Sequence, residues 1–275
     1  MNSVQKAFSD PSSKNFVYWH NLVTVFIFSS CITLALETVE GMSPAIHRYL
    51  EIFEFAAVFI FTLDYMGNLA FSAQGFRYAF TIWGIIDLLA IIPTFLLMIN
   101  LPFLKGGRVL RLLRVARVLR VLKLARVAVG QAGAHSNPIA ANLKIYFLIF
   151  FSVLIIASTL MYTVEGSLYS SDSIAAGQAL LDSQQQGQIF QPTDPISGAI
   201  IPEDKRFFTS IPVAMWWCIV TLTSTGYGDL YPVTVGGRIV AGVTMFLGLV
   251  LFGILLNVIG KTLMVVLFGE KLHEQ

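Results

Sequence analysis

Thr223-Ser224-Thr225-Gly226-Tyr227-Gly228-Asp229 is a polar, glycine-punctuated run set between two very apolar segments. Ahead of it, the residues from Phe208 to Val220 read as a short buried helix; behind it, Leu230-Tyr231-Pro232 leads into a long apolar helix. Non-helical backbone at membrane depth persists only where it is buried in protein or lines a water-filled path. Gly226 and Gly228 permit backbone angles that side chains resist. The carbonyls of Ser224, Thr225, Gly226 and Tyr227 can therefore face one side, with the Ser224 hydroxyl below them.

The surrounding chain has the composition of a membrane protein. Of 275 residues, 56% are hydrophobic and 12% charged, with a mean hydropathy of +0.73, whereas soluble domains are about a quarter charged. The net charge of +2 hides an asymmetry, because seven of the 18 Lys and Arg residues lie between positions 108 and 126. Cys31 and Cys218 sit in separate apolar segments and suggest neither a disulfide framework nor a metal site. The first fifteen residues are polar and lack a signal-peptide core, so insertion is expected to rely on the first spanning helix.

Six apolar segments approach spanning length: about 16–36, 46–71, 79–99, 108–129, 143–164 and 238–268. Pro93 is expected to kink or break the third. Lys6, Lys14, Arg77, Lys144, Lys261 and Lys271 fall on one side of the spans. By the positive-inside rule, both termini are cytoplasmic and the 166–206 loop is external, with His47 and Arg48 a small exception.

Arg108, Arg111, Arg114, Arg117, Arg120, Lys123 and Arg126 recur at every third position, separated almost entirely by Val, Leu and Ala. One charge at the bilayer centre costs about 2.5–3.5 kcal/mol on the lenient insertion scale, so these residues must face partners or water. An amphipathic surface helix or a nucleic-acid stripe fails as an explanation, because the intervening residues are apolar all round. On an α-helix a period of three makes the stripe wind slowly. Turning and sliding such a helix brings each charge past one fixed point. Glu54, Phe61 and Asp64 in the second span and Asp87 in the third are candidates for that point, with Glu37 a weaker one. Intramembrane carboxylates are expensive unless paired, and cations are the obvious partners.

Two resemblances follow. Ser224-Thr225-Gly226-Tyr227-Gly228 resembles the selectivity filter of potassium channels, usually Thr-Val-Gly-Tyr-Gly; that filter is the standard case of carbonyl rings replacing an ion's hydration shell. Serine keeps the hydroxyl and threonine the β-branch of the usual residues. By the same resemblance, Trp216 lies thirteen residues before Asp229 and offers it an indole N–H, and Trp217 lies ten before Tyr227 and braces it. The first four spans resemble the voltage-sensor domain of voltage-gated potassium channels. There Phe61, Asp64 and Asp87 match a charge-transfer centre, Glu54 an outer acidic cluster and the basic repeat the gating charges.

The resemblance runs from the first helix to Gly260. Gly248 matches a hinge glycine of the gate, and Leu255-Leu256-Asn257 stands where many animal relatives carry a Pro-Val-Pro kink. Gly242, Gly253 and Gly260 are alternatives for close helix packing. The linker Gly130 to Pro138 is glycine-rich and poorly amphipathic, and Asn137-Pro138 signals a helix start. The 166–206 loop is polar, Ser- and Gln-rich, and reads as solvated; its carboxylates Asp172, Asp182, Asp194, Glu203 and Asp204 are candidates for concentrating cations. No cytoplasmic assembly or ligand-binding domain is expected.

The expected protein is an all-α, six-span membrane subunit. A cytoplasmic N-terminus 1–15 precedes a sensor domain over 16–129 and a linker over 130–142. The pore domain over 143–268 contains a pore helix 208–222, a filter 223–229 and an inner helix 233–268, followed by a tail over 269–275. One filter strand cannot enclose an ion, so a homotetramer in the plasma membrane (the inner membrane if bacterial) is expected. Potassium is expected as the permeant ion on the filter residues Ser224, Thr225, Gly226, Tyr227 and Gly228. Membrane lipids are expected partners, and no catalytic residue, cofactor or nucleic acid is expected. A weakly selective cation channel is the nearest rival, on the Ser224-Thr225 variation alone. Gly226-Tyr227-Gly228-Asp229 also matches the Gly-x-Gly-Asp signature of intramembrane aspartyl proteases. Those require a second aspartate in a Tyr-Asp pair to share a proton, and this chain has the reverse, Asp64-Tyr65.

Overall fold

The computed structural model describes residues 8, 13–71, 75–99, 113, 115–124, 138–184 and 187–268. Arg108, Arg111, Arg114, Arg126 and the linker 130–137 lie outside the described residues. Two compact units emerge, Met1–Glu37 with Gly41–Ser152, and Thr38–Glu40 with Val153–Gln275.

In the first unit, α1 (Lys14–Leu36) and α2 (Pro44–Phe71) lead through a 3-10 turn at Gly75–Phe80 to α3 (Ile82–Ile99). Ser13 caps α1, its hydroxyl accepting from Phe16 N at 3.1 Å. α2 buries Glu54, Ala57, Val58, Phe61, Asp64, Gly67 and Asn68, a one-face spacing that places Glu54 and Asp64 in the core. α3 continues through Pro93 without the break that was one of the two expected outcomes. A proline in a spanning helix is tolerated where neighbours satisfy the loosened turn, and here the Ala90 carbonyl accepts from Arg120 Nε at 3.0 Å.

The basic segment departs from expectation. Among its described residues, Arg117–Leu122 form a 3-10 helix, with α-helical residues on either side. With three residues per turn, positions i and i+3 eclipse, so Arg117 and Arg120 line up in a straight row rather than a winding stripe, with Lys123 at the C-cap.

The second unit holds the later part of α4 (Pro138–Val164), then α5 (Ser171–Ser183), α6 (Ile211–Leu222) and α7 (Val235–Phe268). α4 starts five residues before the expected 143, at the proline of the Asn-Pro signal. The described residues of the 166–206 stretch are largely exposed, as expected, but they include a helix and a bridge of their own. Phe190 packs on Gly177 of α5, Gln178 of α5 accepts from Phe190 N at 2.8 Å, and Thr193 bridges Ile200. Two carboxylates then meet the start of α7: Glu165 accepts from Val233 N at 2.9 Å, and Asp194 from Val235 N at 3.2 Å. Helix starts leave amides to be satisfied in this way. α6 begins at Ile211, where Ser210 makes no side-chain cap; the Ile211 amide donates to the Thr38 hydroxyl at 2.8 Å instead.

Among the described residues, three helices are long and apolar enough to cross a membrane, and Ile82–Leu96 and Ile211–Leu222 are shorter apolar helices. α2 has 28 residues, and its buried Glu54 and Asp64 belong to the site described next.

Candidate functional site

The core of the first unit is a ladder of opposite charges around one aromatic ring. Arg117 Nη1 lies 3.0 Å from Glu37 Oε2, and its Nε lies 3.7 Å from Glu54 Oε1. One turn on, Arg120 Nη1 lies 2.5 Å from Glu54 Oε1. Its guanidinium also donates to Thr94 Oγ1 at 2.7 Å and to Ser30 Oγ. Arg120 is only 1% exposed. A buried charge persists only when it is paired and its remaining donors are satisfied, and α1, α2 and α3 together meet that condition.

Below Arg120 sits Phe61, wholly buried. Its centroid is 5.6 Å from the Arg120 guanidinium carbon and 5.1 Å from Lys123 Nζ, so one ring separates two cations and offers each its face. On the far side, Lys123 Nζ lies 3.0 Å from Asp64 Oδ2 and 3.1 Å from Asp87 Oδ1. The residues proposed from sequence as Phe61, Asp64, Asp87 and Glu54 are thus assembled in one place with Arg117, Arg120 and Lys123. Glu37, the weaker candidate, carries an ion pair.

Sequence reasoning missed four polar members of this site. Ser30 and Thr94 carry hydroxyls on the faces of α1 and α3 that meet Arg120. Trp19 Nε1 donates to Asp64 Oδ1 at 2.9 Å, and the Tyr78 hydroxyl donates to Asp87 Oδ2 at 2.5 Å. The available signal was helical register: Ser30 lies seven residues before Glu37, and Thr94 seven after Asp87.

The second candidate site is the loop after α6. Ser224, Gly226 and Gly228 have φ of 57°, 60° and 77°, while no positive φ occurs at Thr225 or Tyr227. Alternating handedness turns successive peptide groups the same way, the backbone condition for carbonyls that share one side. Loop amides fold back on the end of the helix: Thr225 N and Gly226 N donate to the Val220 carbonyl at 3.0 and 3.3 Å. Trp216 Nε1 donates to Asp229 Oδ2 at 2.9 Å, and its ring stacks on Tyr227 at 5.9 Å and 8°. Trp217 does not reach Tyr227 within the chain. It points to the other face of α6 and meets Phe208 edge-on at 5.7 Å. The loop from Thr223 to Asp229 is exposed throughout.

Gly248 lies in the middle of an unbroken α7. A Cβ there would stand 2.8 Å from the Leu222 carbonyl oxygen, so this glycine lets α7 pass close against the end of α6. Gly242, Gly253 and Gly260 have nothing within 4 Å of a built Cβ; within one chain they are not packing glycines.

A buried charge ladder and an exposed, alternately handed loop, both carried by apolar helices, define a class. The chain belongs to the ion transport protein family, whose model matches residues 16–266. It is an all-α, multi-pass membrane protein of that family, and it is similar to voltage-gated potassium channel proteins. Among similar curated proteins is the A-type voltage-gated potassium channel KCND3 of Rattus norvegicus, 28% identical over 268 residues, or 92% of this chain and 35% of that protein. The voltage-gated potassium channel regulatory subunit KCNF1 of Rattus norvegicus is 28% identical over 213 residues, 74% of this chain and 36% of that one. The regulatory subunit KCNG3 of Homo sapiens is 47% identical over 57 residues, 21% of this chain and 13% of that one. The chain spans about a third of the length of the first two.

Proposed function

We propose that the chain is a subunit of a voltage-gated, potassium-selective channel in which four identical copies surround one axis. The row Arg117–Arg120–Lys123, divided by Phe61, is the observation that carries the voltage-gated part. Moving that row by one step exchanges which cation lies between Asp64 and Asp87 and which lies with Glu54. A 3-10 helix rises about 2 Å per residue, so one step is about 6 Å. Each charge crossing the field is worth about 2.3 kcal/mol per 100 mV, and a few per copy supply tens of kcal/mol across four. Arg108, Arg111, Arg114 and Arg126 would serve as the remaining gating charges.

The selective part rests on the loop. Four copies of Ser224, Thr225, Gly226, Tyr227 and Gly228 would stack carbonyl and hydroxyl rings around dehydrated potassium. Trp216 and Asp229 would hold the wall from behind, and Trp217 would support the filter through the helix. Exposure of Tyr227 at 67% and Trp216 at 47% in one chain supports a partner surface there, as do the apolar side chains exposed along α7. In this reading both termini are cytoplasmic, the membrane is the plasma membrane, and Gly248 serves the gate through its contact with α6.

A current–voltage family from the full chain in planar bilayers, with potassium on one side and sodium on the other, tests both parts. The expected result is a steeply voltage-dependent current reversing near the potassium equilibrium potential. A reversal near zero would replace selectivity by weak cation preference, and a voltage-independent current would remove the sensor.

A further inference from the structure

Among the donors that Asp64 and Asp87 face, two kinds stand out in each case, and the difference has a kinetic meaning. Asp64 meets Lys123 through Oδ2 and the Trp19 indole through Oδ1. Asp87 meets Lys123 through Oδ1 and the Tyr78 hydroxyl through Oδ2. Lys123 belongs to the basic row, whereas Trp19 belongs to α1 and Tyr78 to the 3-10 turn before α3. The carboxylates are 4% and 1% exposed, so water does not stand ready to replace a departing cation.

We propose that Trp19 and Tyr78 are standing donors that keep this carboxylate pair satisfied in the interval between the departure of one cation and the arrival of the next. The inference rests on the sensor reading above and deepens it. An unpaired buried carboxylate is among the most costly groups a protein can hold. A row of cations spaced three residues apart must pass through arrangements in which none is centred between Asp64 and Asp87. The fixed N–H and O–H stay with the carboxylates throughout, and their hydrogen bonds are strongest when no cation shares the carboxylate charge, so they stabilise that arrangement more than the occupied ones. They therefore lower the barrier to charge transfer and leave the balance between its end states nearly untouched.

The surroundings of both donors are built to hold them still. The Trp19 ring meets Phe8 edge-on at 5.5 Å, and Phe8 stacks on Phe71 at 6.0 Å. A Cβ at position 67 would run into the Phe8 ring, so Gly67 makes room for that packing. Tyr78 is 5% exposed and lies 6.3 Å from the Tyr65 ring. Phenylalanine at position 78 removes only the hydroxyl, and at position 19 it keeps an aromatic ring toward Phe8 while removing the indole N–H and part of the ring.

The test is gating-charge movement recorded from the full chain with its pore blocked, in the native protein, W19F and Y78F. Each substitution is expected to slow both outward and return charge movement about tenfold, the loss of one hydrogen bond to a charged group, with total charge and midpoint voltage unchanged. Unchanged rates in both variants would overturn the proposal. A shifted midpoint with unchanged rates would make the donors supports of one sensor position instead. Loss of total charge in both would reassign them to folding alone and overturn it as well. Absence of charge movement in the native chain would sink the sensor reading itself, and is thereby distinguishable.

Discussion

The two units of this chain treat their polar groups in opposite ways. In the first, a guanidinium, an ammonium and three carboxylates are buried and matched to one another inside a single chain: Arg120, Lys123, Glu54, Asp64 and Asp87. In the second, the polar loop Thr223 to Asp229 lies open, braced from one side by α6 and exposed on the other. The contrast teaches where each site is completed. One copy suffices for a charge ladder whose partners are all local. A ring of carbonyls needs further copies. On the proposed function, the sensor is a property of the subunit and the filter a property of the assembly.

The largest expected effect breaks the second site and spares the first. Gly226 has φ of 60° and open space around a built Cβ, so alanine there is opposed by backbone strain alone. That strain is about 1–2 kcal/mol per residue in the left-handed region, repeated in every copy around the axis. G226A is expected to abolish potassium-selective current in bi-ionic recordings while gating-charge movement persists. If charge movement disappears too, the two sites are not separable as the contrast requires.

Next comes a break in the ladder. Glu54 holds Arg120 at 2.5 Å and Arg117 at 3.7 Å. E54A leaves a buried guanidinium without its carboxylate, a loss of about 3–5 kcal/mol. The position seen here, with Arg117 and Arg120 on the Glu37 side of Phe61, becomes the less stable one. The charge–voltage midpoint is expected to move to more depolarised voltages, with ion selectivity unaltered. A changed reversal potential with an unmoved midpoint would contradict the division of labour.

Much of this arrangement was legible in the sequence, and the limits have physical causes. Strict period-three basic residues within an apolar run admit few explanations, and Glu54, Phe61 and Asp64 share one face of any α-helix. The filter loop was legible because its glycines stand where φ is positive. Trp19 and Tyr78 were not legible: an aromatic residue near the end of an apolar helix has packing as a sufficient reason to be there, and the N–H or O–H that decides its role is visible only once its partner is placed. The straight row escaped because three-residue spacing alone does not choose between a winding stripe on an α-helix and an eclipsed line on a 3-10 helix. Pro93 does not break α3, because the rule against mid-helix proline describes a helix alone, whereas here Arg120 donates to the adjacent Ala90 carbonyl. In the 166–206 stretch, polar composition concealed α5, whose order rests on a few contacts such as Phe190 on Gly177.

A smaller effect sharpens the reading of α7. G248A places a methyl group 2.8 Å from the Leu222 oxygen, an overpacking of about 1–3 kcal/mol transmitted to the end of α6. G253A, with nothing within 4 Å, is expected to favour the helix by about 0.5–1 kcal/mol. Thermal unfolding of the purified protein with and without potassium separates them: G248A lowers the unfolding temperature and blunts the potassium response, and G253A does neither. If G248A leaves both readings intact and changes only opening kinetics, bending rather than close packing is the reason for glycine at that position.

The smallest effect distinguishes two carboxylates that meet the start of the same helix. Glu165 is fully buried and accepts from Val233 and Thr234. Asp194 accepts from the Ser197 hydroxyl and from the amides of Ile196, Ser197 and Val235. The Ser197 hydroxyl first, and then those amides, hold the Asp194 carboxyl below the usual aspartate range. A carboxyl depressed in the folded state adds stability above its unfolded value of about 3.9. That contribution fades as pH falls through the lower folded value. Hydrogen exchange at Ile196, Ser197 and Val235 is therefore expected to stay protected from neutral pH down to about pH 4 and to lose protection below it. D194A is expected to remove that protection at neutral pH while Val233 and Thr234, held by Glu165, keep theirs. Loss at all five amides together would mean that the outer loop and the start of α7 open as one unit, with Asp194 as its single latch.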